Sequence, residues 1–238
     1  MIFIQFWENR KCKKEGDEDM KEKIFLVDLD GTIINSSRGI LNSFDYAFEK
    51  MGVLTPSKEI LKSFIGPPLH DSFGLYFRGK DIQKAVEVFR EYYSEKGMFE
   101  IEVYEGVEET IKTLSESCKY KLFVATSKDD KHAKEIIKNI GLDKYFEKVV
   151  GSSADGTFSE KVDIIRYILD NEIENTDEYE IFMVGDTKFD IIGANKNGIN
   201  SIGVLYGFGS EEDLREAGAT YIVEKLTDIL EIKLNKIV

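Results

Sequence analysis

Several residue types are scarce in this chain of 238 residues, and each scarcity excludes a class of protein. Two cysteines, Cys12 and Cys118, are too few for the disulfide framework of a small secreted domain, so we expect a cytoplasmic protein. No apolar run approaches the ~18 residues of a membrane-spanning helix, so no membrane partner is expected. Basic residues number 32 against 45 acidic ones, and this net charge of -13 argues against nucleic-acid binding.

Apolar residues, by contrast, are plentiful enough for a folded core. Hydrophobic residues make up 42% of the chain and charged residues 32%, which is typical of a globular protein rather than a disordered one. At ~100–200 residues per domain, the length allows one large domain or a core with a smaller companion.

The first 20 residues differ in character from the rest of the chain. An apolar run over residues 1–7 precedes a mixed-charge stretch over residues 10–23, which is the reverse of the order in a secretory signal peptide. The codons of residues 14–19 are necessarily purine-rich, as a ribosome-binding site is. We therefore hypothesise that translation starts at Met20; the alternative is a short N-terminal extension. No chemistry is assigned to residues 1–20.

Uninterrupted apolar runs predict the strands of a buried sheet. They cover residues 24–27, 122–125, 149–150, 181–184 and 201–205, and such runs suit strands that are buried on both faces. Between them, apolar residues recur every three or four positions over residues 107–118, 162–169 and 191–197, as in amphipathic helices. This alternation predicts an α/β fold with a doubly wound, mostly parallel, Rossmann-like sheet.

The segment 36–103 interrupts this alternation. It shows helical stripes but no strand-like pattern, and it is too long for a loop. We therefore predict a small helical cap domain over residues 36–103, inserted into an α/β core that consists of residues 21–35 and 104–238.

Polar residues follow the predicted strands, where ligands bind in open α/β sheets. Asp28 and Asp30 lie at i and i+2 after the first run, so both point to one side of an extended backbone. Gly31 then permits a sharp turn. Thr126 and Asp186 follow two later runs, and Asp190 is a second acid close behind Asp186. Lys161 lies at the head of a predicted helix after another run. Several carboxylates at one edge repel each other unless a cation lies among them, and oxygen ligands suit Mg²⁺.

Taken in order, these motifs resemble the four motifs of the haloacid dehalogenase superfamily. They are Asp-Leu-Asp-Gly-Thr at 28–32, Thr126, Lys161 and Gly-Asp-Thr-Lys-Phe-Asp at 185–190. The resemblance covers residues 24–229, and the insertion corresponds to that family's helical cap. Residues 66–69, 151–153 and 193–209 are similar to bacterial phosphoglycolate phosphatase-like proteins. The resemblance implies a Mg²⁺-dependent hydrolase of a phosphate monoester, with a small phosphorylated metabolite as its substrate.

The resemblance also implies roles for the acids. Asp28 would attack phosphorus and form an aspartyl-phosphate. Asp30 would protonate the leaving oxygen and then activate water. Asp186, one oxygen of Asp28 and the backbone carbonyl of Asp30 would bind Mg²⁺, and Asp190 would orient Lys161 or a metal-bound water.

Other residues would hold the substrate. Thr126 and backbone N–H groups near Leu29, Asp30 and Ser127 would bind phosphoryl oxygens, while Lys161 would neutralise the charge on the transferring group. Arg38 and His70 from the cap, together with Lys128, are candidates to meet an anionic substrate tail.

Each assignment has an alternative. Asp28 and Asp30 could be turn residues, and Lys161 a solvated helix lysine paired with Glu160. Asp190 could be an acid favoured by the helix dipole, and His70 a surface residue. As for function, a 5'-nucleotidase, a sugar phosphatase, a phosphomutase and a non-enzymatic binding module stay open. The oligomeric state is expected to be a monomer or a homodimer.

Overall fold

The computed structural model describes residues 21–65, 69–153 and 158–231. The hypotheses on residues 1–20 and the resemblance at residues 66–68 lie outside this part of the chain. The strands are β1 (Glu22–Val27), β2 (Ile34–Asn35), β3 (Glu102–Val103), β4 (Tyr120–Asp129), β5 (Lys148–Ser152), β6 (Tyr179–Gly185), β7 (Asn200–Val204) and β8 (Tyr221–Val223). The α-helices are α1 (Ser37–Lys50), α2 (Lys58–Lys62), α3 (Leu69–Gly74), α4 (Lys80–Glu95), α5 (Val107–Glu116), α6 (Asp130–Asn139), α7 (Lys161–Asn171), α8 (Lys188–Lys196) and α9 (Glu211–Glu216).

The main sheet has six parallel strands in the order β5-β4-β1-β6-β7-β8. Strand β1 is buried from Lys23 to Val27, and its side chains alternate between two apolar clusters. Phe25 and Val27 belong to one cluster, and Ile24 and Leu26 belong to the other, so helices cover both faces of the sheet. The predicted doubly wound α/β fold is confirmed.

The five apolar runs lie in strands of this sheet, except that Leu205 follows the end of β7. Three short strands were not predicted. β8 has three residues, and β2 and β3 have two each. None of them is long enough to show a repeating pattern of apolar residues. The predicted helix over residues 107–118 ends earlier, at Glu116. The helix predicted over residues 191–197 is α8, and Gly198 follows it with a φ of 69°, a left-handed conformation that favours glycine.

Helices α1 to α4 lie between β2 and β3 and have their own apolar cluster. Its centre is aromatic, because Phe44 contacts the rings of Phe64, Phe73 and Phe89 at centroid distances of 4.7–5.2 Å. β2 and β3 pair antiparallel, with Ile34 opposite Val103, so the chain enters and leaves this helical segment at one place. Among the described residues, no helix is long and apolar enough to cross a membrane.

Candidate active site

The carboxyl ends of three neighbouring strands bring the predicted motifs together. β1 lies between β4 and β6, and Val27 pairs with Val124 on one side and with Val184 on the other. The backbone N–H of Asp28 donates to Val184 O at 2.9 Å, so the residue after β1 is still held against β6. Asp28 and Asp186 thereby follow adjacent strands, with Asp186 one residue beyond the level of Asp28.

Lys161 lies at the centre of the acidic residues. Its Nζ is 2.6 Å from Asp28 Oδ1 and 2.9 Å from Asp190 Oδ1, and it donates to the backbone oxygen of Ala125 at 2.9 Å. Lys161 is only 6% exposed, so the alternative of a solvated helix lysine is wrong. Burial lowers the pKa of Lys161, but Asp190 and Asp28 outweigh it and hold this pKa above its ordinary value.

Asp190 contacts both Lys161 and the first turn of α8. Its Oδ2 accepts from Thr187 N–H at 3.0 Å and from Thr187 Oγ1 at 2.8 Å, in a capping box at the start of α8. Its Oδ1 lies against Lys161. Asp190 therefore forms an ion pair with Lys161 through Oδ1 and caps the start of α8 through Oδ2. Gly185 allows this approach, since a Cβ there would lie 2.1 Å from Asp190 Cγ.

Asp186 is fully buried and is held by two donors. Phe208 N–H donates to its Oδ2 at 2.7 Å, and Thr32 Oγ1 donates to its Oδ1 at 3.2 Å. Two glycines pack directly on it. A Cβ on Gly31, which has a φ of 85°, would lie 2.2 Å from Asp186 Oδ2, and a Cβ on Gly207 would lie 2.2 Å from Asp186 Cβ.

The loop that holds Asp186 was not identified from the sequence. Phe208 contacts Asp186 through its backbone N–H, a group that does not depend on the residue type, so the sequence does not indicate the contact. In the same loop, Tyr206 donates its hydroxyl to Thr32 O at 2.8 Å and packs against the ring of Tyr104 at 4.7 Å. The sequence feature that could have identified this loop is the pair of glycines, Gly207 and Gly209, on either side of Phe208.

The acids carry more negative charge than Lys161 neutralises. Burial raises the pKa of Asp28 to about 7, with Lys161 opposing this rise and Asp190 and Asp186 adding to it. Burial likewise raises the pKa of Asp186 to about 6, with a further rise from Asp190. One oxygen from each of Asp28, Asp186 and Asp190 lies within 4.8 Å of the others. Buried oxygen ligands with unbalanced charge fit a divalent cation such as Mg²⁺.

Asp30 has two oxygens in different surroundings. Lys128 Nζ donates to Oδ2 at 2.8 Å, whereas Oδ1 is buried without a hydrogen-bond partner in the part of the chain that the structure describes. Lys128, a candidate for an anionic substrate tail, is therefore paired with Asp30.

Thr126 is 1% exposed within β4, just after Ala125, where the register with β5 shifts. Its Oγ1 accepts from Lys128 N–H at 3.2 Å. Ser127, the next residue, is exposed. Leu29 has a fully buried side chain, so any contact with a ligand at the surface would use its backbone, as expected.

The two cap candidates are exposed, and both interact with residues of α4. His70 is exposed on α3, and its Nε2 lies 3.1 Å from Gln83 Oε1 of α4. Arg38 is exposed on α1, where its charge acts on Tyr92 of α4. Their role in substrate binding stays a prediction, whereas the surface alternative for His70 agrees with its exposure.

Residues 25–204 match the model of the haloacid dehalogenase-like hydrolase family. The chain belongs to this family. A 5'-nucleotidase of Pseudomonas aeruginosa is 34% identical over 91% of this chain and 97% of its own length. A phosphoglycolate phosphatase of Vibrio parahaemolyticus is 26% identical over 88% of this chain and 95% of its own. The crystal structure of a predicted phosphatase from Clostridium acetobutylicum is 40% identical, with a TM-score of 0.78, and covers 90% of this chain and all of that one.

These relatives support a phosphatase among the haloacid dehalogenase-like hydrolases. The two curated relatives carry different substrate names, so the family and the enzyme class are better supported than the substrate.

Proposed function

We propose that the protein is a Mg²⁺-dependent phosphate monoester hydrolase that acts on a small phosphorylated metabolite through an aspartyl-phosphate at Asp28. The observation that carries the proposal is the buried ion pair between Asp28 and Lys161 at the edge where β1, β4 and β6 end. A carboxylate nucleophile needs its charge balanced as the anionic phosphoryl group approaches, and this pair provides the balance.

Two residues carry the bond changes. An Asp28 oxygen forms a bond to phosphorus as the ester P–O bond breaks, and Asp30 gives its proton to the leaving oxygen. Water then attacks phosphorus, gives a proton to Asp30 and releases Asp28. The buried Oδ1 of Asp30, free of a partner among the described residues, suits this transfer.

The remaining residues bind and orient. Lys161 stays charged in its buried position and neutralises the transferring group, while Asp190 fixes its direction. Thr126 and the backbone N–H groups of Leu29, Asp30 and Ser127 would receive phosphoryl oxygens. Mg²⁺ would be held by Asp28, Asp186 and the carbonyl of Asp30, and when bound it neutralises phosphoryl charge.

Phosphoglycolate is the first substrate candidate, because the sequence resembles phosphoglycolate phosphatase-like proteins and one relative bears that name. A nucleoside 5'-monophosphate is the second, since the 5'-nucleotidase of P. aeruginosa is the more similar of the two curated relatives described above. A sugar phosphatase and a phosphomutase rank below these, and a non-enzymatic binding module is disfavoured by the intact set of acids with Lys161. We place the enzyme in the cytoplasm as a monomer or homodimer, without a nucleic-acid or membrane partner.

Phosphate release from a panel of phosphate monoesters, with pyrophosphate as an anhydride for comparison, tests the substrate. Phosphoglycolate, nucleoside 5'-monophosphates, sugar phosphates, pyrophosphate and p-nitrophenyl phosphate are compared by kcat/KM with Mg²⁺ and with EDTA. We expect one small metabolite to exceed the others, with all activity lost in EDTA. Release of phosphate from none of them would contradict the proposed function, and full activity after rigorous chelation would contradict the metal assignment.

Rapid quench tests the nucleophile and the acid. Asp28→Asn should abolish the burst of leaving group for every ester. Asp30→Ala should slow the burst by ~10²–10⁴ for an alkyl ester, the usual worth of a general acid, and far less for p-nitrophenyl phosphate, whose leaving group needs no proton. Equal slowing of both esters would show that Asp30 positions the site instead of donating a proton.

A further inference from the structure

Lys128 lies between an acid of the active site and a ring of the inserted helical segment. Its Nζ is 2.8 Å from Asp30 Oδ2 and 4.9 Å from the ring centroid of Tyr93 on α4. The Lys128 side chain is 10% exposed. A cation this close to an aromatic face is attracted by the ring, the more so when water is excluded. The Lys128 ammonium therefore lies between the carboxylate of Asp30, which follows β1, and the ring of Tyr93 in the helical insertion.

Tyr93 contacts both parts of the molecule. It packs against the apolar cluster of α1 to α4 and also against the sheet cluster that contains Phe25 and Val27. Its ring stacks on Phe89 of α4 at 5.9 Å and meets the His132 ring of α6 edge-on at 6.1 Å. A displacement of α4 from the sheet would therefore remove the ring from Lys128.

The pairing decides which oxygen of Asp30 is available. Lys128 occupies Oδ2, and Oδ1 is the buried oxygen without a hydrogen-bond partner among the described residues. A carboxylate with one oxygen fixed by a lysine has less rotational freedom, so its second oxygen keeps a defined direction. Proton transfer requires such a direction, since a misplaced catalytic group loses much of its effect.

We propose that Lys128 is a positioning residue for Asp30 and that Tyr93 holds Lys128 in place when the helical segment lies against the sheet. The Oδ1 of Asp30 is then the atom that gives its proton to the leaving oxygen and takes one from the attacking water. This inference rests on the proposed function, because it assumes that Asp30 is the acid and base of the reaction. It adds a contact, between Tyr93 and Lys128, through which the position of the helical insertion affects proton transfer by Asp30.

The kinetic test compares an alkyl phosphate that the wild-type enzyme hydrolyses with p-nitrophenyl phosphate. Lys128→Met should slow the burst by about 10–100-fold for the alkyl ester, the scale of a misplaced catalytic group, with a much smaller effect on the aryl ester. KM should change little, and Lys128→Arg should restore part of the rate. Tyr93→Leu should show the same selectivity for the alkyl ester.

Lys134→Met is the matched control. Lys134 lies on α6 in an exposed ion pair with Asp130, and its loss should affect neither ester. Equal slowing of both esters by Lys128→Met, or no slowing, would overturn the proposal. A raised KM with an unchanged kcat would assign Lys128 to the substrate tail and would overturn it too. If Lys128→Met does not fold, Tyr93→Leu alone must show the ester-selective loss, and its absence would decide against the proposal.

A second measurement needs no substrate. The thermal unfolding temperatures of Lys128→Met, Tyr93→Leu and the double variant form a cycle, and contacting residues should lose less together than the sum of their separate losses. Additive losses would refute the link between Tyr93 and Lys128 even if the enzyme were fully active. Conversely, a wild-type enzyme that cleaves no ester would contradict the proposed function, while the cycle would still decide whether the link exists.

Discussion

Lys161 Nζ lies 2.6 Å from Asp28 Oδ1, so the proposed nucleophile is already ion-paired before a substrate binds. The same ammonium lies 2.9 Å from Asp190 Oδ1. Removing the lysine leaves at least two buried carboxylates without their counter-charge, which makes this residue important for stability as well as for chemistry.

We predict that Lys161→Met lowers both activity and stability. Loss of a group that stabilises transition-state charge should lower kcat by ~10²–10³. The free energy of unfolding should fall by ~3–5 kcal/mol, because the variant leaves charges buried and unpaired. Urea unfolding in EDTA measures the second effect. Arg215→Met breaks the exposed pair with Glu211 and should cost at most ~1 kcal/mol. A similar loss in both variants would contradict the buried pair.

The two tasks of Asp190 can be separated. Thr187→Ala removes a cap of α8 and should cost ~1 kcal/mol of stability while kcat stays close to wild type. Asp190→Asn keeps the shape of the side chain but removes the charge opposite Lys161, so kcat should fall sharply. Circular dichroism melts and steady-state rates for both variants provide the comparison. An unchanged kcat in Asp190→Asn would mean that Asp190 only caps the helix.

The close packing of glycine on Asp186 predicts a metal phenotype. Gly207→Ala places a methyl group where Asp186 Cβ lies only 2.2 Å away, so the loop or the carboxylate has to move. The Mg²⁺ concentration for half-maximal activity should rise, with the fold retained. Gly74→Ala on α3 is the control, because its nearest neighbour would be Ile82 Cδ1 at 4.0 Å. The idea fails if both variants need the same Mg²⁺ concentration.

The raised pKa values predict that the metal-free protein loses stability as the pH rises. Asp28 and Asp186 have pKa values of about 7 and about 6 when folded, above the ordinary value of 3.8. The folded state therefore holds their protons more tightly than the unfolded state does. Their favourable contribution is complete below pH ~4 and disappears as the pH rises through these folded values.

Thermal unfolding in EDTA between pH 5 and pH 8 measures this effect. The unfolding temperature of the wild type should fall relative to that of Asp186→Asn, which lacks one of the titrating acids. Mg²⁺ should stabilise the wild type more at pH 8 than at pH 5, since the ionised acids bind it. Parallel curves for the two proteins would contradict the prediction.

The predictable part of the fold and site consists of features carried by side chains in local patterns. Buried strands such as β1 and β6 show as apolar runs. Asp28 follows the first of these runs directly, and Asp186 follows the other after Gly185. Two-residue strands such as β2 carry no period, so they could not be predicted.

Contacts between distant segments could not be predicted from the sequence either. The pairing of Lys128 with Asp30 joins residues 98 positions apart, and nothing in either local sequence indicates the partner. The bond from Phe208 N–H to Asp186 uses a backbone group that every residue except proline possesses. Such contacts depend on how loops meet after the sheet has formed.

The central position of β1 has a consequence for synthesis on the ribosome. One neighbour of β1, β4, is made only after the whole helical insertion and α5. The other neighbour, β6, follows β4 after two further helices and a strand. Both apolar faces of β1 are thus without their neighbouring strands in the nascent chain until β4 and β6 have been made. The helical insertion, built from local contacts, can fold in that interval, whereas the sheet has to wait for its later strands.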